Sequence, residues 1–125
     1  MRVAVQPLDR LLEGLSPTLI KIDVEGYEEA VLEGAHATLT NESLHSVILE
    51  LNESGQRYGF CEDRILDRMK KYGFSTFSYD PLTRSLAPLH GKNSLSNNTI
   101  FIRRVERIRD KLHAAPPVNV GSIML

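Results

Sequence analysis

Residues 19–35, LIKIDVEGYEEAVLEGA, decide the fold, because a strand pattern passes through an acidic turn directly into a helical pattern. The aliphatic run Thr18 to Ile22 predicts a strand that is covered on both faces, as in a parallel sheet. Asp23 ends this strand, and apolar residues recur at helical spacing from Tyr27 onward. Because ligands of parallel α/β sheets bind beyond the carboxyl ends of the strands, the turn from Asp23 to Gly26 is the candidate active-site edge.

The helix after this turn is predicted to bury one face and to expose the other. Its buried face starts with Tyr27, which we expect to anchor the helix in the core rather than to contact a substrate. Acidic residues in the first turns suit the positive end of the helix dipole. The predicted buried positions are Tyr27, Ala30, Val31, Gly34, Ala35 and Leu39, and the predicted exposed ones are Glu28, Glu29, Glu33 and His36.

Similar patterns predict the remaining elements. A crossover of suitable length joins the first strand to a second one, so residues 18–52 should form a βαβ unit with parallel strands. The last two strands have no helix between them and should be antiparallel. The stretch Asp80 to Asn98 is predicted to be a long loop, either a substrate lid or simply solvated. The other predicted elements are a short strand at Met1–Val5, a short helix with a leucine face between Pro7 and Leu15, strands at Ser46–Leu51, Phe74–Tyr79 and Thr99–Arg103, and helices at Glu62–Tyr72 and Val105–Leu112.

Length and composition limit the function. The 125 residues allow one modest core, which we place at residues 1–113, with residues 114–125 as a flexible or docked tail. A net charge of -1 gives no electrostatic reason to expect nucleic acid or an anionic membrane as a partner. With no apolar run of membrane-spanning length and no signal-peptide pattern, the expected compartment is the cytoplasm. The single cysteine, Cys61, excludes an intrachain disulfide and a cysteine-cluster metal site, and we expect it to be structural.

Two carboxylates and a glycine in the acidic turn are the first candidates for chemistry. Asp23 or Glu25 would orient or deprotonate a substrate hydroxyl, which is a weak nucleophile at neutral pH. Gly26 would let the backbone pass close to a ligand. The alternative is that Asp23 or Glu25 only caps the following helix.

Two further polar residues follow the second strand at the same edge of the sheet. Glu50 and Asn52 would therefore look into the same crevice as Asp23. A carboxylate in an otherwise apolar strand needs a partner or a ligand, so Glu50 either serves the site or pairs with Lys21. The four histidines show no metal-ligand spacing and are expected at the surface: His36, His45, His90 and His113.

The string IKIDVEGYEEAVLEGA, together with this order of elements, resembles the C-terminal half of an FkbM-type S-adenosylmethionine-dependent methyltransferase. The most specific part is Ile20 to Gly34, because the family typically has a Lys-Ile-Asp-Val-Glu-Gly-Tyr-Glu run followed by a leucine and Gly-Ala. The resemblance extends over residues 5–103. Its other matches are Leu8-Asp9 with Leu11-Leu12, Glu50, Tyr72-Gly73-Phe74, and Asn98 with Ile100-Phe101.

This resemblance implies a Rossmann-like class I methyltransferase sheet of the α/β class, truncated to strands 4 to 7 of the order 3-2-1-4-5-7-6, with the last pair antiparallel. It implies S-adenosylmethionine as the cofactor and a hydroxyl of a small metabolite or sugar as the methyl acceptor. It implies no metal. In these roles Asp23 and Glu25 would be catalytic, Asp23 would also bind the cofactor, and Glu25, Gly26, Glu50 and Asn52 would bind the substrate.

The family carries a glycine-rich cofactor turn after its first strand, and this chain contains no G-x-G. In the implied strand order, the first strand would pair with residues 18–23, so its loss would expose an apolar edge. A second copy, another polypeptide or the Met1 to Val5 segment would cover this edge. We therefore expect the chain to be inactive alone.

Two other functions are compatible with the same residues. The chain can be a non-catalytic remnant that acts as a structural or interaction module through its open sheet edge, and the absent glycine turn favours this interpretation. It can also be a metal-assisted phosphoryl-transfer domain in which Asp23 and Glu25 hold a divalent ion. Neither a phosphate-binding glycine loop nor an arginine cluster supports the phosphoryl-transfer interpretation.

Overall fold

The computed structural model describes residues 2–124, which form a five-stranded mixed sheet with flanking helices and a separate two-stranded hairpin. The helices are α1 (Leu8–Leu11), α2 (Glu28–Glu33), α3 (His36–Thr40), α4 (Glu62–Lys71) and α5 (Val105–Ala114), with a 3-10 helix at Ser54–Tyr58. The strands are β1 (Leu19–Ile22), β2 (Ser46–Glu50), β3 (Ser75–Asp80), β4 (Ser85–Pro88), β5 (Asn98–Ile102), β6 (Asn119–Val120) and β7 (Ile123–Met124).

The main sheet has the order β1-β2-β5-β3-β4, and only its first pair of strands is parallel. β1 and β2 pair with Leu19 opposite Ser46 and Ile22 opposite Leu49, which confirms the parallel unit predicted over residues 18–52. β5 runs antiparallel between β2 and β3, which confirms the predicted antiparallel end of the sheet. The α/β class is confirmed, although most strand pairs are antiparallel.

The prediction of a loop over all of Asp80–Asn98 was wrong. Ser85–Pro88 forms β4, which pairs antiparallel with β3. The connecting turn is tight because the Asp80 carboxylate accepts hydrogen bonds from the Leu82 amide and the Thr83 hydroxyl, both at 2.9 Å. The polar residues that suggested an open loop therefore build a hairpin turn.

The helix predicted after the acidic turn is divided into α2 and α3. α2 ends at Glu33, and the carbonyl of the next residue, Gly34, accepts a hydrogen bond from the Asp9 amide at 2.9 Å. Asp9 also begins α3, because its carboxylate accepts hydrogen bonds from the amides of Ala37 and Thr38 at 2.9 and 2.7 Å. The segment before β1 therefore packs into the break between the two helices, which the periodicity of this stretch does not show.

Glu28 and Glu29 are buried, each with 4% exposure, so the prediction that they face solvent was wrong. The Arg64 guanidinium donates two hydrogen bonds to the Glu29 carboxylate, at 2.6 and 3.0 Å, and the Cys61 amide donates a third at 3.0 Å. Such a bidentate pair satisfies a buried carboxylate. Glu29 therefore joins α2 to the start of α4.

We expect Glu29→Gln to lower the free energy of unfolding by about 2 kcal/mol at neutral pH, because the amide cannot accept all three hydrogen bonds. The hydrogen bonds from Arg64 hold the pKa of Glu29 below its ordinary value, against the effect of burial. Its contribution to stability is thus present above the ordinary carboxylate pKa and is lost as the pH falls through the lowered pKa. Urea unfolding across the acid range should show a difference between variant and wild type that shrinks in acid. A constant difference would contradict this role of the ion pair.

Within residues 2–124, β1 lies at the edge of the sheet and pairs only with β2. Leu19 is 54% exposed, so the prediction that both faces of this strand are covered was wrong. Residues 2–5 form no strand, contrary to the prediction, and Val3 and Val5 are exposed. Met1, which belonged to that prediction, lies outside the described residues. The outer side of β1 is thus open.

The leucine face predicted before β1 is only partly buried. α1 is a single turn, Leu11 and Leu15 are exposed, and Leu8 packs against the core. The core lies between the sheet and helices α2, α3 and α4. Its fully buried larger side chains are Leu32, Leu39, Leu44, Val47, Leu49, Met69 and Phe101.

The C-terminal residues contain one predicted element and one that was not predicted. α5 covers the predicted helix at Val105–Leu112 and extends to Ala114. β6 and β7 then form a small exposed hairpin. The division into residues 1–113 and a tail stays a prediction. None of the helices described here has the length and apolar character needed to cross a bilayer.

Candidate active site

Three carboxylates converge where β1 and β2 end. Asp23 follows β1, Glu50 is the last residue of β2, and the pairing of Ile22 with Leu49 brings the two strand ends side by side. Carboxylate oxygens of Asp23, Glu25 and Glu50 lie within 4.8 Å of one another. The structure therefore brings together three of the residues that the sequence indicated. Such a set of oxygens can accept a proton from a hydroxyl or hold a divalent cation.

The carboxyl groups of Asp23 and Glu50 lie close enough to shift each other's pKa in opposite directions. Hydrogen bonds from Lys21 and Glu50 lower the pKa of Asp23 below its ordinary value. The hydrogen bond with Asp23, followed by burial and the negative charge of Asp23, raises the pKa of Glu50. Asp23 is thus the ionised member of the pair, and Glu50 holds a proton more readily. Because Lys21 pairs with Asp23, the alternative that it pairs with Glu50 was wrong.

Because the pKa of Glu50 is raised, we expect the stability of the chain to depend on pH. Its contribution to stability is complete below the ordinary carboxylate pKa and is lost as the pH rises through the raised pKa. We therefore expect Glu50→Gln to match the wild type in stability at about pH 4 and to be more stable at about pH 8, where ionised Asp23, Glu25 and Glu50 repel one another. Urea unfolding of both proteins at the two pH values measures this. A difference that does not change with pH would contradict the raised pKa of Glu50.

Glu28 holds the acidic turn in place. Its carboxylate accepts hydrogen bonds from the amides of Val24 and Gly26 at 3.2 and 3.3 Å. Tyr27, which precedes α2, provides no side-chain cap. Glu28 thus fixes the turn that precedes α2, and the carboxylates of Asp23 and Glu25 lie near that of Glu50. That Asp23 or Glu25 caps α2 stays the alternative to a role in chemistry.

The acidic turn packs directly on the turn that follows β2. Gly26 is buried with φ +102°, and a Cβ placed on it would lie 2.7 Å from the carbonyl carbon of Ser54. Gly55 lies nearly as close on the other side, since a Cβ there would lie 3.0 Å from the Gly26 carbonyl oxygen. Asn52 fixes the same turn by accepting a hydrogen bond from the Ser54 amide at 3.0 Å. The missing side chain of Gly26 therefore lets the acidic turn pack against the backbone of Ser54 and Gly55.

The loop between β4 and β5 is fastened beside the carboxylates. Its Lys92 ammonium binds the carboxylates of Glu53 and Glu62 at 2.9 and 2.7 Å. The Asn97 amide group lies 3.5 Å from the Glu50 carboxylate. Sequence reasoning did not indicate Lys92 or Asn97, because each is a single polar residue in a polar stretch and no spacing relates it to the strand ends.

Two exposed tyrosines flank the acidic turn. Tyr27 is 47% exposed, so the prediction that it anchors α2 in the core was wrong. Its ring packs against Tyr58 with ring centroids 4.3 Å apart, because the 3-10 helix stands against the turn. Arg57 lies over the Tyr58 ring and donates a hydrogen bond to the Glu25 carbonyl at 2.7 Å. These three side chains extend the candidate site beyond the carboxylates.

The histidines lie elsewhere. His45 is buried at the start of β2, so its predicted surface position was wrong. Backbone hydrogen bonds from its amide to Thr18 and from the Arg103 amide to its carbonyl draw it into the sheet. His36 is exposed and bonds the Tyr72 hydroxyl at 2.7 Å. His90 and His113 are exposed, as predicted.

A family model described as the methyltransferase FkbM domain matches residues 1–76 of the chain. This N-terminal part includes β1, the acidic turn, β2 and α4, and it ends before β4 and β5. The match is shorter than the resemblance expected over residues 5–103, and which half of the domain the chain represents stays a prediction. No curated protein and no solved structure is detectably similar to the chain.

Proposed function

Because this chain belongs to the FkbM methyltransferase family, we propose that it carries the acceptor side of an active site that methylates a hydroxyl of a small metabolite or sugar. The observation that carries the proposal is the convergence of Asp23, Glu25 and Glu50 within 4.8 Å at the ends of two parallel strands. Parallel α/β sheets bind their ligands at this edge. S-adenosylmethionine is the methyl donor that the family suggests.

The carboxylates fit the requirements of the acceptor. When bound, S-adenosylmethionine supplies an electrophilic methyl group on a positively charged sulfur. Asp23, ionised at neutral pH, would face this positive charge, and Glu25 would orient the acceptor hydroxyl. The released proton would pass to the pair of Asp23 and Glu50, since the raised pKa of Glu50 makes it the better proton acceptor. The Asn52 side-chain oxygen holds the turn, and its amide nitrogen would donate to the substrate.

We further infer that the chain is the C-terminal half of a Rossmann-like methyltransferase sheet. The order β1-β2-β5-β3 agrees with that of strands 4, 5, 7 and 6 in the order implied by the resemblance. β5 is antiparallel to both of its neighbours, as the last strand of that order should be. With no G-x-G in the sequence, the cofactor site is incomplete, and the chain is inactive alone.

The open edge of β1 favours a second candidate function, that of a non-catalytic structural or interaction module. An apolar groove lies along this edge, and it would serve a partner rather than a substrate. In that case the carboxylates would have no role in methyl transfer, and replacing them would leave binding of S-adenosylmethionine unaffected.

Calorimetric titration of S-adenosylmethionine into the purified chain tests whether the cofactor site is complete. We expect binding weaker than about 100 μM, because the donor side lacks its glycine turn. Circular dichroism on the same sample would establish that the chain is folded. Micromolar binding by the folded chain would contradict the incomplete cofactor site and the inactivity that follows from it.

A further inference from the structure

A polar pocket of about 390 Å³ lies between the end of β2 and the loop that precedes β5. Residues 51–53 form one wall, and residues 92–94, 96 and 97 form the other. The pocket adjoins the carboxylates, because the Asn97 amide group lies 3.5 Å from the Glu50 carboxylate and Asn98 is the partner of Glu50 in the sheet. A molecule held in this pocket would therefore lie next to Glu50.

Hydrogen bonds within the chain fix the loop side of the pocket. The Asn97 carbonyl accepts a hydrogen bond from the Leu51 amide at 2.7 Å, which ties the loop to the end of β2. The Asn93 amide donates to the hydroxyl of fully buried Thr99 at 2.9 Å, and the ion pairs of Lys92 fasten the loop at its other end. Because its walls are already ordered, the pocket loses little conformational entropy when a ligand binds.

Most side chains that line the pocket carry amides or hydroxyls. They are Asn52, Asn93, Asn97, Ser94 and Ser96. Each of these groups both donates and accepts hydrogen bonds, as a sugar hydroxyl does. Within residues 2–124, three polar groups have no hydrogen-bond partner: the Asn52 side-chain nitrogen, the Asn97 side-chain oxygen and the Ser94 hydroxyl. These three groups are therefore available to a ligand.

Charged and aromatic ligands fit this pocket less well. The Lys92 ammonium is matched by the carboxylates of Glu53 and Glu62 at 2.9 and 2.7 Å, so no lining residue of the described chain offers an unpaired cation to a phosphate group. Leu51 lines the pocket but is only 3% exposed, and no described aromatic side chain lines it. The lining thus favours an uncharged ligand that is rich in hydroxyls.

We propose that this pocket holds the ring of an uncharged sugar, which presents one hydroxyl to the three carboxylates. The proposal rests on the proposed function, because it names the methyl acceptor of that same site. Asn52 and Asn97 would bind hydroxyls close to the one at Glu50, and Ser94 would bind another. A volume of about 390 Å³ lies at the lower end of the roughly 300–1,000 Å³ of ligand pockets, which suits a monosaccharide.

NMR titration of the ¹⁵N-labelled full chain with neutral sugars tests the pocket without any cofactor. Glucose, galactose, mannose and N-acetylglucosamine are each added to about 50 mM, with catechol and glucose 6-phosphate as aromatic and charged comparisons. We expect at least one sugar to shift the amides of residues 51–53 and 92–97 with a Kd of about 1–20 mM. No shifts with any of the sugars, or tighter binding of catechol or glucose 6-phosphate in this pocket, would overturn the proposal.

Two variants test the side chains. Asn97→Ala keeps the backbone carbonyl that binds Leu51, so the loop should stay in place while sugar binding weakens about fivefold. Ser94→Ala, which breaks no hydrogen bond within the described chain, should weaken it about threefold. Asn119→Ala, an exposed asparagine of β6, is the control and should bind as the wild type does. Wild-type affinity in both pocket variants would overturn the proposal.

Failure of the sugar pocket and failure of methyl transfer give different results. Sugar shifts at residues 51–53 and 92–97, without any response of residues 23–26 to S-adenosylmethionine, would support the pocket and contradict methyl transfer at the carboxylates. A response of residues 23–26 to S-adenosylmethionine without sugar binding would overturn the pocket and leave methyl transfer with a different acceptor.

Discussion

Gly26→Ala should lower the free energy of unfolding by about 4 kcal/mol, a large fraction of the roughly 5–15 kcal/mol by which small domains are stable. The alanine Cβ would lie 2.7 Å from the Ser54 carbonyl carbon and 2.8 Å from its oxygen, and both are backbone atoms that cannot move without displacing the turn. The residue would also have to keep φ at +102°, which an L side chain rarely adopts. Urea denaturation followed by circular dichroism measures the loss.

Gly59→Ala is the matched control for this substitution. Gly59 has φ +78°, yet nothing lies within 4 Å of the position that its Cβ would occupy. Only the backbone cost remains, so we expect a loss of about 1 kcal/mol. Equal losses in the two variants would mean that the contact between the two turns contributes nothing, and the packing that places Glu25 beside Glu50 would need another explanation.

Arg103→Ala should lower the free energy of unfolding by about 3 kcal/mol. The guanidinium donates hydrogen bonds to the carbonyls of Leu44 at 2.6 Å and Leu39 at 2.8 Å, and to that of Asn41. It also lies 4.7 Å from the centre of the Phe74 ring. Removal of the side chain takes the guanidinium donor from the carbonyls of Leu39 and Leu44 and leaves that of Asn41 with the Leu44 amide alone, so α3 and the start of β2 should loosen together.

Two variants separate the geometry of Arg103 from its charge. Arg103→Lys keeps the charge but cannot reach all of the carbonyls, so we expect a loss of about 2 kcal/mol. Arg109→Ala removes a half-buried arginine that pairs with exposed Glu106, and it should cost less than about 0.5 kcal/mol. If Arg103→Lys were as stable as the wild type, charge alone would account for the role of Arg103. Denaturant unfolding of all three variants makes the comparison.

The parts of the fold that local patterns determine were predictable. The run LIKI followed by Asp23 predicted β1 and the acidic turn, and SVILE predicted β2 as its parallel neighbour. Because two parallel strands that are adjacent end at the same edge, the meeting of Asp23 with Glu50 followed from the sequence. The helix α4 was equally clear, since its apolar period ends at lysines and a glycine.

Contacts between distant residues explain the errors. The break between α2 and α3 depends on Asp9, which binds Gly34 and the first amides of α3 from more than 20 residues away. Glu29 looks solvent-facing in any helical projection, and only the approach of Arg64 makes its burial favourable. Periodicity describes one element at a time, so it cannot show which charged side chain will find a partner on another element.

The candidate site shows the same division. The positions of Asp23 and Glu50 were predictable from the strand ends. The pairing of Lys21 with Asp23 is also local, because residues two apart lie on the same face of an extended segment, although the alternative weighed from the sequence paired Lys21 with Glu50. Asn97 reaches Glu50 only because β5 lies next to β2, with Asn98 opposite Glu50. That strand order was implied by the resemblance and could not be derived from the spacing of residues.

The most direct test of the account is titration of the ¹⁵N-labelled chain with S-adenosylmethionine, followed residue by residue by NMR. At about 5 mM ligand, we predict shifts confined to the amides of residues 23–26 and 50–54, with loss of these shifts in Asp23→Asn. Trimethylsulfonium, which has the positive sulfur but no adenosine, should shift them less if the site recognises the cofactor and not charge alone. Shifts located elsewhere, no shifts at all, or shifts indifferent to Asp23→Asn would contradict the assignment of methyl transfer to the carboxylates at the ends of β1 and β2.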